Sequence, residues 1–247
     1  DTWVETSKVH SIIITNPELA SKYSILDTDE HVEKVHHNLP VPDANITGFV
    51  GRKDELRRLN KWVRTPFPVA VIYGDGGFGK TALALQFLYD LIDDEGAPEI
   101  DQIYWVQTKK SEVRGGTIRE IEGAIDSSDG LFGELSGQLN DEGKSIEEIQ
   151  EEWKDFHVLI VLDNIETVLD DSVTEFLEGI QGNWKILITS RVNIQGLSFG
   201  VPLKGLKEKE SVSLLRQYSR FLGVSEIVES KDTTLQKWCD EMSFNPG

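Results

Sequence analysis

The chain is poor in cysteine, in methionine and in positive charge. Its 247 residues include one Cys and one Met, and 25 Lys and Arg stand against 43 Asp and Glu, a formal net charge of −18. The single thiol, Cys239, excludes an intrachain disulfide and fits a reducing, cytoplasmic setting. The acidic balance argues against a nonspecific grip on nucleic acid or on an anionic membrane surface, since both call for Lys/Arg faces. No apolar run approaches the ~18 residues that a bilayer-spanning helix needs. Asp1 and Glu5 stand where a secretory leader would carry its basic segment. Internal repeats and low-complexity runs are lacking as well. The chain opens without Met and stops at Asn245-Pro246-Gly247, so it reads as a piece of a longer protein.

What the sequence does carry begins at Gly74-Asp75-Gly76-Gly77-Phe78-Gly79-Lys80-Thr81. The apolar run Val69 to Tyr73 precedes it, and Ala82 to Leu88 follows with a helical composition, so the order is buried strand, glycine loop, helix. G-x-x-x-x-G-K-[S/T] in that context is a phosphate-binding P-loop. Glycines let backbone N–H groups turn inward around an anion, and the helix start adds free N–H groups with the positive end of its dipole. Gly76, Gly77, Phe78, Gly79, Lys80, Thr81 and Ala82 are therefore expected to cradle a nucleoside phosphate. Lys80 should reach the terminal phosphates, and the Thr81 hydroxyl should ligate Mg²⁺.

Two later strands carry polar ends. His157 to Asp163 is an apolar run closing on a carboxylate, and ligands of open α/β sheets sit at that strand edge, so Asp163 is expected beside the Mg²⁺ of Thr81. Asn164 follows, where many P-loop ATPases have the acid that polarises the attacking water. Asn can orient water but accepts a proton poorly, so hydrolysis is expected to be slow. Glu166 is the nearest acid; it either takes that task or caps the following helix around Val168 to Leu177. The third run, Trp184 to Arg191, delivers Arg191 to the same edge, where its guanidinium either senses the γ-phosphate or pairs with one of the chain's 43 acids.

The other segments are expected to be supporting structure. Residues 1–47 read as a connector, with a helix from Asn16-Pro17-Glu18 to about Leu26 and another from Asp29 to His37. His31, His36 and His37 do not share a helical face, which speaks against a metal site. Leu56, Leu59 and Trp62/Val63 mark an amphipathic helix from Lys53 to Val63. Between Lys109 and Asp155 three helices are expected, on Ile118/Ile121/Ile125, on Leu131/Leu135/Leu139 and on Ile146/Ile149/Trp153; Arg114, in the glycine-gapped start of that stretch, reads as a surface residue, with a ligand contact as the alternative. Residues 201–247 begin a small helical subdomain. One helix runs from Lys207 to Leu222 with Val212, Leu215 and Leu222 inward. A second turns Leu235, Trp238, Cys239 and Met242 inward, which makes Cys239 a core residue rather than a nucleophile.

Phe49-Val50-Gly51-Arg52, the P-loop, Val158 to Asp163, Ile188 to Arg191, Leu203-Lys204-Gly205-Leu206 and Asn245-Pro246 occur in that order. The succession resembles the NB-ARC branch of the STAND P-loop NTPases over about residues 45–247. The resemblance implies a three-layer α/β nucleotide-binding domain at 48–200 with a five-stranded parallel sheet of order 2-3-1-4-5. A helical ARC-type subdomain would begin at 201–247, and 1–47 would lead in from an upstream domain. It further implies that Val50 and Arg52 line the adenine, that Lys80 and Thr81 take phosphate and Mg²⁺, that Asp163 takes the metal, and that Arg191 senses the γ-phosphate. Pro246 matches the proline of the family's Gly-x-Pro motif, although Phe244 stands where that motif has Gly. Leu-Asp-Asn-x-Glu resembles a bacterial variant, which adds weight to Glu166. The implied activity is an ATP/ADP switch that controls self-association and signalling, in defence among other roles, between an upstream effector and a downstream sensor. A nucleotide-bound scaffold that does not hydrolyse is the alternative. Kinase and nucleic-acid-motor readings lack their Arg-rich lid and basic loops.

Overall fold

The structure is a computed structural model that describes residues 35–41, 48–108, 111–114, 117–120, 125, 127–139, 144–194, 196, 198–242, 244 and 246. The expected helices before Val35 lie outside the described residues.

Six strands form one parallel sheet: β1 (His36–His37), β2 (Val69–Tyr73), β3 (Gln102–Gln107), β6 (Val158–Asp163), β7 (Lys185–Ser190) and β8 (Phe199–Pro202), in the spatial order β1-β3-β6-β7-β2-β8. Every neighbouring pair is parallel. The central strands read as unbroken apolar runs because they are covered on both faces. In β6, Val158, Ile160 and Leu162 join one core with Leu131, Leu135, Ile149, Val173 and Leu177 of α3 (Ser128–Gln138), α4 (Ile146–Glu152) and α5 (Asp171–Glu178). The alternate residues Leu159 and Val161 join the opposite core, with Leu59 and Trp62 of α1 (Lys53–Val63) and Leu83, Phe87 and Leu88 of α2 (Lys80–Asp93). The result is a helix–sheet–helix sandwich, the expected fold class, with six strands in place of five.

The strand order departs from the expected 2-3-1-4-5. The P-loop strand β2 pairs with β7 and β8, so β7 stands between it and the Asp163-bearing β6. Ile72 lies opposite Thr189 and Tyr73 opposite Ser190, which puts the polar end of β7 in the gap between Thr81 and Asp163. Strand β8 was hidden in the sequence because Phe199-Gly200-Val201-Pro202 reads as a breaker; at a sheet edge proline is tolerated.

Three further expectations fail locally. His36–His37 is a two-residue edge strand, not a helix end. Ile118 lies in β5 (Thr117–Glu120), which pairs antiparallel with β4 (Ser111–Arg114), so a hairpin occupies part of the stretch expected to be helical. Its β-branched residues favour extended backbone. Arg114 ends β4. In the C-terminal helices α6 (Glu208–Leu222), α7 (Ser225–Glu229) and α8 (Asp232–Glu241), Val212, Leu235 and Cys239 are buried, but Leu222, Trp238 and Met242 are exposed. The stripe is narrower than the periodicity implied because the buried core these helices share is small, built on Val212, Leu235 and Cys239. Cys239 is a core residue as expected, and burial raises its thiol pKa.

Candidate functional site

The loop after β2 is shaped by two close approaches. A Cβ on Gly74 would lie 2.2 Å from the Leu203 carbonyl oxygen, so only glycine lets the P-loop leave the sheet beside β8. Gly77 and Gly79 have φ of 78° and 83°, the left-handed region that other residues resist. Gly79 is the N-cap of α2 and offers no side-chain cap, and the first turn holds no acid. By contrast α3, α4 and α5 are capped by Ser127, Ser145 and Asp170. The first N–H groups of α2, including those of Lys80, Thr81 and Ala82, have no intrahelical acceptors. Asp75, Gly76, Gly77, Thr81 and Ala82 are exposed. An exposed turn of inward N–H groups at an uncapped helix start is a fitting cradle for phosphate.

Lys80 Nζ donates to the Gly74 and Asp75 carbonyl oxygens at 2.8 and 2.9 Å. Burial lowers its pKa below the usual lysine value; Glu166 opposes that most strongly among the neighbouring charges, followed by a lowering from Arg191 and raising from Asp163 and Asp75. The ammonium, both candidate acids and the guanidinium thus share one electrostatic neighbourhood.

Asp163 is almost wholly buried at the end of β6. Its Oδ1 accepts from Thr81 Oγ1 at 2.9 Å and from Thr189 Oγ1 at 2.5 Å. Gln107 Nε2 stands 3.5 Å from Oδ2. Thr189 Oγ1 also accepts from Asn164 N at 2.9 Å, and Thr108 Oγ1 donates to the Asn164 carbonyl at 2.6 Å. One exposed hydroxyl beside one buried carboxylate is a small, hard-oxygen donor set. It fits Mg²⁺, which takes one or two protein oxygens and fills its shell with phosphate and water. Among the described residues no group of three or more His, Cys, Asp or Glu could cage a metal alone. Thr189, Thr108 and Gln107 were missed by sequence reasoning. The available signal was that β3, β6 and β7 all turn polar at the same end.

Asn164 has φ 66°, and a short asparagine tolerates this left-handed backbone where most residues do not. Glu166 lies in the 3₁₀ turn Ile165–Thr167, and α5 is capped by Asp170, whose Oδ1 accepts from Val173 N at 3.0 Å. Glu166 is therefore not the cap of that helix. Its Oε1 is 3.1 Å from Arg191 Nε. Both carboxylate oxygens are shut off from solvent, and neither accepts an aligned hydrogen bond among the described residues. The ion pair is close but poorly directed.

Arg52 is 6% exposed and left-handed at φ 60°. Its Nη2 donates to the Phe78 carbonyl at 2.9 Å, and its Nη1 is 3.5 Å from Glu55 Oε1. The guanidinium is thus spent on the P-loop and α1. Burial lowers its pKa, against Glu55 and Glu210. Val50, half-buried, precedes Gly51, and the Glu210 carboxylate of α6 packs where a Gly51 Cβ would stand. Pro246 lies against the P-loop, its Cγ 3.9 Å from where a Gly79 Cβ would be. Phe244 has a left-handed backbone, at φ 53°, and its carbonyl accepts from Leu206 N at 2.9 Å. Leu206, Ser211, Leu215, Cys239, Phe244 and Pro246 help line an apolar cavity of about 190 Å³ next to this rim.

Comparison with known proteins identifies the family and the fold. The NB-ARC domain family matches residues 51–220, more than half of the chain. The transcription activator GutR of Bacillus subtilis is 26% identical over 195 residues, which cover 75% of this chain and 23% of GutR. The chain thus spans about a quarter of that relative's length. Among solved structures, the Walker-type ATPase of Pyrococcus abyssi superposes with a TM-score of 0.54 at 14% identity, covering 83% of this chain and 67% of that one. The Drosophila ORC bound to DNA overlaps more loosely, with a TM-score of 0.49 at 12% identity over 96% of this chain and 65% of the other. At 14% identity the likeness to the Pyrococcus abyssi ATPase speaks for the fold alone. The P-loop, the Asp163 strand and the family match together make the chain a member of the NB-ARC family of P-loop NTPases.

Proposed function

We propose that this nucleotide-binding switch module takes ATP or ADP with Mg²⁺ and turns ATP over slowly, within a larger regulatory protein that assembles when activated. The observation that carries the reading is the Thr81–Asp163 hydrogen bond joining the P-loop helix to the end of β6, with Lys80 held on the loop carbonyls and the Arg191–Glu166 pair following β7 and β6. In this reading the P-loop amides from Gly76 to Ala82 and the Lys80 ammonium take the phosphates. Thr81 and Asp163 take the metal, which neutralises phosphate charge when bound. The backbone of Val50 and Arg52 and the ring of Pro246 border the base. Asn164 orients water without accepting its proton, so the slow step is left to Glu166.

A switch requires the two nucleotides to favour different states by different affinities, because equal binding shifts nothing. The C-terminal region touches the site through Glu210 of α6 on Gly51 and through Pro246, beyond α8, beside Gly79, which gives it a means of responding to the site. The likeness to GutR supports a bacterial regulatory setting and a transcriptional output as one form of it. With a net charge of −18, any DNA contact belongs to another part of such a protein. Defence signalling is the other output we propose, from the NB-ARC membership. A cytoplasmic location fits the single cysteine; among the described residues no helix is long and apolar enough to cross a membrane. Steady-state phosphate release tests hydrolysis. The expected turnover lies well below the ~1 s⁻¹ at the slow end of kinases. A rate at or above that value contradicts the role given to Asn164, and no release from bound ATP favours the non-hydrolysing scaffold.

A further inference from the structure

We infer that Arg191 and Glu166 form an exchangeable latch: Arg191 holds the Glu166 carboxylate in check until it leaves for the terminal phosphate of bound ATP, so the same side chain that senses the phosphate releases the hydrolytic carboxylate. The inference rests on the nucleotide reading of the site given above and adds the coupling between its two halves.

Glu166 is the side chain that calls for an explanation. Both of its oxygens are inaccessible, neither has an aligned hydrogen bond among the described residues, and its nearest recorded partner is Arg191 Nε at 3.1 Å. A buried acceptor left without good partners is a costly arrangement that persists where something else uses it. The Arg191 side chain is 67% exposed against 17% for Glu166. An ion pair with one largely solvated partner is weak and changes partner easily. A guanidinium forks onto phosphate oxygens as readily as onto a carboxylate. Lys80 lies within the electrostatic reach of both residues, so the phosphates it would hold are local to the pair.

With Arg191 withdrawn, Glu166 can act on water. As the water oxygen bonds to the terminal phosphorus, the bond from that phosphorus to the β–γ bridging oxygen breaks. Glu166 takes the water proton, ADP and phosphate leave, and the proton returns to phosphate or solvent. Asn164, one step nearer the strand, cannot accept that proton.

The test is a double-mutant cycle on the full chain with Glu166→Gln and Arg191→Gln, read by calorimetric affinity for ADP and for a non-hydrolysable ATP analogue and by single-turnover hydrolysis. Thermal unfolding establishes that each variant is folded. Glu166→Gln keeps the shape but frees Arg191, so analogue affinity should rise about two- to fivefold relative to ADP, the fold-change of an exposed ion pair. Hydrolysis should fall by about 10²-fold or more. In the Arg191→Gln background the same Glu166→Gln change should leave analogue affinity unaltered. Persistence of the gain there means simple carboxylate–phosphate repulsion and overturns the latch. So does an unchanged analogue-to-ADP ratio in Glu166→Gln, or an unchanged hydrolysis rate, while ADP binding by the wild type leaves the nucleotide reading intact. If the wild type binds neither nucleotide, both readings fall.

Discussion

Thr189 connects the two diagnostic elements of the site. Its hydroxyl donates to Asp163 Oδ1 and accepts from Asn164 N, and it is almost completely buried. Thr189→Val keeps the shape and removes both bonds, leaving a buried carboxylate lone pair and a backbone N–H short of partners. We expect a loss of about 1–3 kcal/mol in stability, read from the urea midpoint at unchanged slope. A stability change under about 0.3 kcal/mol would mean that the pair is satisfied otherwise. Lys80, Thr81, Asp163 and Arg191 were legible in the sequence because glycine spacing and strand ends announce them. Thr189, Thr108 and Gln107 were not, since a buried threonine or glutamine leaves no pattern until its strand is placed beside another. Asn164 and Phe244 read as departures from the expected residues. Both prove to be left-handed backbone positions, so the constraint at each is conformational as well as chemical.

Among the elements, those buried on both faces were the easiest to read. Val69–Tyr73, Val158–Asp163 and Lys185–Ser190 are runs whose apolar residues serve two cores at once, so composition alone marks them. Edge elements were not readable in that way. His36–His37 and Phe199–Pro202 are short and polar or broken by Gly and Pro, and their identity comes from a neighbour's free edge. Strand order was misjudged for a related reason: which strand inserts beside the P-loop strand is a tertiary matter that no local pattern encodes. The insertion of β7 is what lets Thr189 reach Asp163. The P-loop departs over Leu203, and the 2.2 Å that a Gly74 Cβ would leave to the Leu203 oxygen is to a backbone carbonyl, which cannot swing aside as a side chain would. Gly74→Ala should therefore displace the loop or the β8 exit. We expect about 1–3 kcal/mol of destabilisation with loss of nucleotide affinity; full stability and full affinity in that variant would show that the approach relaxes freely.

Over the whole molecule, contacts bind the C-terminal helices to the nucleotide domain at its ligand edge. Glu210 packs on Gly51, Lys207 Nζ lies 2.8 Å from Asp54 Oδ2, and Pro246 stands beside Gly79. The Lys207–Asp54 pair is solvent-exposed and contributes little energy. Its value lies in placing α6 next to the Val-Gly-Arg segment. A second part that leans on the same loop that would hold phosphate can report what the loop holds, as the proposed switch requires. All of this depends on a polyphosphate sitting where Lys80, Thr81, Asp163 and Arg191 converge. The most direct measurement is a calorimetric titration of ADP with Mg²⁺ into the wild type and into a folded Lys80→Ala variant. Saturable one-site binding by the wild type, weakened at least about tenfold in the variant, is the predicted result; equal ADP affinity in the two proteins would contradict the account.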